Sequence, residues 1–179
     1  MLKMSDIPQD IRDLLAFPFD FSVDEVAADP FWFKAEPNLE LIPIAGEGTG
    51  GTYFRLAESG RILFVDSEGA AGIIAENFED LIQLIVSHPY WMDLLKFSGK
   101  GSLPEMHRAV DWASRNYLDC YPEASQALLR IQQSLGIRPS SLALERLHGA
   151  VSNSTNVLRL YAPDGSELGS LFNGFTAPI

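Results

Sequence analysis

Cysteine is nearly missing. Cys120 is the single one in 179 residues, which excludes an intrachain disulfide and leaves no trace of an oxidising compartment. Positive charge is scarce as well: 13 Lys and Arg stand against 24 Asp and Glu, a formal net charge of −11. Phosphate contacts need Lys and Arg, so nucleic acid and anionic membranes are disfavoured partners. No apolar run approaches the roughly 20 residues that span a bilayer. The opening residues, Met-Leu-Lys-Met-Ser-Asp, lack the apolar centre of a signal peptide. A cytoplasmic protein is therefore the expectation.

Motifs for chemistry are also lacking. The chain has no G-x-S-x-G, no H-E-x-x-H and no Gly-Lys-Ser/Thr. His88, His107 and His148 lie far apart and Cys120 stands alone, so each histidine reads as a satisfied or solvated side chain before it reads as a metal ligand. Asp66 and Glu68, two residues apart at a strand end, form the one candidate carboxylate pair. Capping the turn before Gly69 is the simpler role for them. The expectation is a binder and not an enzyme, with no catalytic residue, no cofactor and no metal.

What is present is a foldable core and an uneven charge. Hydrophobic residues make up 46% and charged residues 21%, enough apolar side chain for one domain, or one domain with an extension. Residues 1–97 hold six Lys/Arg and seventeen Asp/Glu, whereas residues 98–179 hold seven of each. The whole anionic excess thus belongs to the first half. Such a field speeds association with a basic partner; its plainer reading is a solubilising surface.

The densest pattern runs from Leu39 to Val86. Gly46, Gly48 and Gly51 spell G-x-G-x-x-G after an apolar strand, the form of a dinucleotide fingerprint. That fingerprint requires the glycines to open a helix whose first amides hold a pyrophosphate. Here they open Thr52-Tyr53-Phe54-Arg55-Leu56, a β-branched and aromatic run. The spacing predicts a β-meander over 39–45, 52–57, 61–66 and 72–75. Near-continuous apolar runs suggest strands covered on both faces. Asn77 caps a following helix, in which Phe78, Leu81, Ile82 and Ile85 form one apolar face.

Around the meander the signals are mostly helical. Ile7, Ile11, Leu14 and Leu15 form a stripe on a short helix with Asp6 as cap and Pro8 in its first turn. Ser22 or Asp24 is a candidate start for a helical turn ending before Pro30. Phe31-Trp32-Phe33 follows; three adjacent large side chains cannot face one way, so at least one belongs at a surface or interface unless all wrap a core edge. Tyr90 to Leu95 suggests a second short helix, and Ser98-Gly99-Lys100-Gly101-Ser102 resembles a linker. Beyond it, helices are expected over 104–118, over 122–135 with Gly136 as stop, and from Ser140 or Ser141 to Gly149. Val157–Tyr161, a Pro-Asp-Gly turn at 163–165, and Glu167–Phe172 give a hairpin signal.

The order Pro43-Ile44-Ala45-Gly46-Glu47-Gly48, a strand near Tyr53, Gly60-Arg61-Ile62-Leu63-Phe64-Val65-Asp66, then Ile74-Ala75-Glu76-Asn77-Phe78-Glu79-Asp80-Leu81 resembles the SUKH superfamily. Ile7-Pro8-Gln9-Asp10-Ile11 is a looser match to that family's first helix. The chain departs from the pattern at Thr52, at Ser67 and at Phe17-Pro18-Phe19, and residues 98–179 have no counterpart in it. The resemblance implies an α+β domain with a mostly antiparallel sheet. It also implies protein binding: many bacterial members look like immunity proteins that neutralise toxins, many of them nucleases, and eukaryotic relatives act as scaffolds.

The resulting expectation is an α+β fold, with a SUKH-like domain over 1–97 and a helical extension ending in a β-hairpin over 98–179, packed on the first part. The expected function is an immunity protein that binds a basic toxin domain through Glu47, Glu58, Asp66 and Glu68, with Trp32 or a neighbouring aromatic as anchor. A regulatory adaptor and a small-molecule-binding protein remain the alternatives.

Overall fold

The structure, a computed structural model, describes residues 2–178. It is an α+β fold with a mostly antiparallel sheet flanked by helices. A 3-10 turn at Met4–Asp6 leads into α1 (Gln9–Ala16), with Pro8 at the cap position. Ile7, Ile11 and Leu15 are buried on its inner face. Residues 22–33 form no helix, which corrects the turn expected at Ser22 or Asp24. Ser22 instead exchanges two backbone hydrogen bonds with Gly46, 2.9 and 2.8 Å, so the chain lies along a sheet edge and its amides are satisfied there.

The expected meander is present: β2 (Leu41–Gly46), β3 (Thr52–Leu56), β4 (Ile62–Val65) and β5 (Ala70–Ala75), preceded by the short β1 (Lys34–Glu36). These four strands pair antiparallel in sequence order. Their side chains alternate between two cores, as the two-residue period of a strand requires. Tyr53, Ile62, Phe64 and Ile74 point into a large core shared with the helices. Phe54, Leu63, Val65 and Ile73 point into a smaller one with Phe33, Leu158 and Leu160. Both faces are therefore covered.

Asn77 caps α2 (Phe78–Ser87), its Oδ1 accepting from the Asp80 amide at 2.9 Å. Then come α3 (Trp91–Lys96), α4 (Leu103–Cys120), α5 (Ala124–Leu135) and α6 (Ala143–Ser152). Gly136 ends α5 at φ 67°, a left-handed position suited to glycine. The third helix of this half runs through Gly149 instead of stopping there. Among the described residues, no helix is long and apolar enough to cross a membrane.

Residues 98–102 do not behave as a linker. Ser98 is fully buried, and its hydroxyl donates to the Asn173 carbonyl and accepts from the Gly101 amide. The C-terminal tail closes over this turn, with Gly99 donating to Phe175 and Lys100 to Asn173. The Pro-Asp-Gly turn forms, and Tyr161 faces Glu167 across it. Its arms then diverge: β6 (Arg159–Tyr161) pairs antiparallel with β1, whereas β7 (Gly169–Ser170) joins the main sheet parallel to β5. The two halves of the sequence thus contribute strands to both sheets.

Candidate functional site

An antiparallel meander places alternate turns at opposite ends of its sheet. The β2–β3 turn (47–51) and the β4–β5 turn (66–69) therefore share one end, and the β3–β4 turn (57–60) lies at the other. Glu47, Asp66 and Glu68 come together; Glu58, an exposed residue, does not join them. The three line a groove of about 450 Å³. Its floor is apolar, formed by Phe64 with Trp91, Met92 and Leu95 of α3, and the C-terminal tail supplies Leu171 and Asn173 as a wall. Lys96 is the one cation among the lining residues.

The carboxylates have different local duties. Glu47 accepts from the Thr49 and Gly51 amides, both at 2.8 Å, and from the Thr49 hydroxyl. Asp66 Oδ1 accepts from the Glu68 and Ala70 amides at 2.9 and 2.8 Å, the turn-capping role its position suggested. Asp66 Oδ2 and the exposed Glu68 carboxylate make no hydrogen bond among the described residues. Gly51 is required by space: a Cβ there would meet the Phe64 ring at 2.7 Å and Glu47 Oε1 at 2.8 Å. The glycine pattern is a turn that lets Glu47 reach back to its own backbone, and Thr52 to Leu56 after it is a strand.

Asp20 joins this cluster, and nothing in its local sequence marked it. The Phe17–Phe21 segment carries it to the β2–β3 turn, where it adopts φ 52°. Partial burial raises its pKa, and the Glu47 carboxylate raises it further, while a hydrogen bond from the Gly48 amide pulls it down. Beneath it the Tyr53 hydroxyl donates to the Asp20 carbonyl at 3.2 Å. Full burial holds the Tyr53 phenol well above its ordinary pKa, with Asp20 and Glu47 adding to the effect. Trp91 was visible in the sequence only as a helical residue; in the fold it is 1% exposed, with its ring 5.4 Å from that of Phe64.

Trp32 lies elsewhere. It packs edge-on against Phe33 beside β1 and is 37% exposed, with Phe31 at 48%. Phe33 is buried, so the aromatic triplet divides between core and surface. Two of the distant histidines share a cavity: His88 and His107 line it between α4 and the start of α6. His107 Nε2 lies 3.1 Å from Glu145 Oε1. Burial lowers the pKa of His88, Glu145 opposes this, and His107 reinforces it. His148 contacts the Gly101 carbonyl at 2.8 Å. Among the described residues, no group of three or more His, Cys, Asp or Glu is arranged to hold a metal ion.

Comparison with protein-family models, with curated proteins and with solved structures returns no match.

Proposed function

We propose that this protein is a non-catalytic binding module, an immunity protein that neutralises a toxin effector by covering a basic surface of it. Two things support the reading. One is the SUKH-like order of motifs from Pro43 to Leu81. The other is structural, and it carries the proposal: carboxylates from separate parts of the chain, Asp20, Glu47, Asp66 and Glu68, gather at one end of the sheet beside a groove with an apolar floor. Charges of one sign gathered beside a groove suit capture of an oppositely charged partner, because they steer the encounter.

Within this arrangement Glu68 and Asp66 Oδ2 are the groups free to meet a partner's Lys or Arg. Glu47 and Asp66 Oδ1 hold the turns that present them. Glu58 contributes only to the long-range field, from the far end of the sheet. The protein acts stoichiometrically and turns nothing over.

The test is capture from the native host, followed by titration of the purified pair. The expected result is a 1:1 complex with a basic toxin domain. Its on-rate falls steeply with salt, and toxin activity disappears in proportion to added protein. A partner bound equally fast at low and high salt would remove the acidic end from the mechanism. A partner that is not a toxin would replace immunity with a regulatory role.

A further inference from the structure

Strand β1 has one partner. It pairs with β6 along one edge, Lys34 to Tyr161, Ala35 to Leu160 and Glu36 to Arg159, and among the described residues no strand pairs with its other edge. An open edge carries unpaired backbone donors and acceptors that favour strand addition. Ala35 packs inward against the smaller core, while Lys34 and Glu36 are exposed. Neither takes part in any of the ion pairs among the described residues.

We infer that this edge is a homodimer seam: β1 of a second copy adds antiparallel to β1 about a two-fold axis through Ala35. Three residues decide the occupant. In that register Lys34 of each copy stands opposite Glu36 of the other, and Ala35 meets Ala35. The strand is thus complementary in charge to itself, and opposite charges directly across an antiparallel pair stabilise it. A closed two-fold contact also uses the same patch on both copies.

The flanking residues extend the match. Because the two strands run antiparallel, the Phe31–Trp32 end of one copy lies toward the Asn38–Leu39 end of the other, beyond the paired residues Lys34–Glu36. Asn38 and Leu39 line a groove of about 570 Å³ beside β1, together with Phe31, Phe33 and Leu41. The exposed faces of Phe31 and Trp32, whose inner sides pack on Phe54 and Phe33, would be covered by the facing copy. Pro37 has no amide hydrogen and ends the ladder, so the seam is short and dimerisation is expected in the micromolar range. It shares no residue with the acidic groove.

Sedimentation velocity on the full chain, from about 1 to 200 µM, tests this. The wild type is expected to shift from monomer to dimer across the range. Lys34→Glu and Glu36→Lys each place like charges in register and should weaken association at least tenfold. An equimolar mixture of the two variants should recover it as a heterodimer, because each supplies the charge the other lacks. Trp32→Ala should weaken it without changing far-ultraviolet circular dichroism. A wild type that stays monomeric throughout, a dimer indifferent to Lys34→Glu, or a mixture that fails to re-associate would each overturn the proposal.

Discussion

The Ser154 hydroxyl accepts a hydrogen bond from the Ile73 amide at 2.7 Å and donates to the Ala150 carbonyl at 3.1 Å. Ile73 lies in β5, where β7 pairs only with Ala70 and Ala71. Past that point the edge of β5 is covered by α6 and the turn after it, and one side chain satisfies a backbone donor that a strand would otherwise meet. Sheet edges are commonly closed by a packed helix. Here the first residue of the 3-10 turn that follows the helix completes the closure.

Ser154→Ala should therefore destabilise the fold by about 1–3 kcal/mol, because a buried amide loses its only acceptor. Urea unfolding measures the loss. Amide exchange supplies the specific signature: the Ile73 proton should exchange much faster, with its neighbours in β4 little changed. Equal protection at Ile73 would mean that another acceptor takes the place of the hydroxyl.

Asp20 is held in a partly desolvated site beside Glu47, and its carboxyl pKa is raised. The folded state then binds more protons than the unfolded one just above pH 3.8. Stability accordingly falls as pH rises through that window, and the charged carboxylate remains unfavourable at neutral pH. Asp20→Asn should slightly stabilise the protein at pH 7, since it removes the charge and asparagine tolerates φ 52°. The same variant should slow association with a basic partner. A loss of stability at pH 7 would show that the charge is a net benefit to the fold.

The two acidic turns are expected to separate structural from surface roles. Asp66→Ala leaves the Glu68 and Ala70 amides without their acceptor and should cost about 1–2 kcal/mol. Glu68→Ala removes an exposed side chain and should change stability by less than about 0.5 kcal/mol. Thermal unfolding compares them directly. Equal effects would contradict the division drawn between turn-holding and partner-facing carboxylates.

The meander was legible because strand signals are local. Alternating apolar residues, glycine turns and the Asn77 cap each act within a few positions, and the observed strands fall within two residues of those read from the sequence. The site was legible only in part. Glu47, Asp66 and Glu68 could be chosen as turn carboxylates, but their meeting at one end, and the exclusion of Glu58, follow from strand order. Asp20 and Trp91 are brought in by packing across more than 25 residues, for which no local pattern exists. The linker reading of 98–102 failed for a related reason: glycines that permit flexibility also permit a tight turn. Whether Ser98 is buried depends on a tail some 75 residues later.

His88 gives the fold a pH dependence of defined sign. It ends α2 next to the cavity that His107 shares, and its hydroxyl neighbour Tyr90 lies 3.4 Å from Nδ1. Burial lowers its pKa from 6.5, partly offset by Glu145. The unfolded chain therefore binds the proton more readily in the window below 6.5, and stability rises with pH there. It is complete above the unfolded value and is lost as pH falls toward the folded one. Chemical unfolding between pH 5 and 7.5 should show this slope, and His88→Gln should flatten it while leaving stability at pH 7.5 little changed. A slope that persists unchanged in His88→Gln would remove this imidazole as its source.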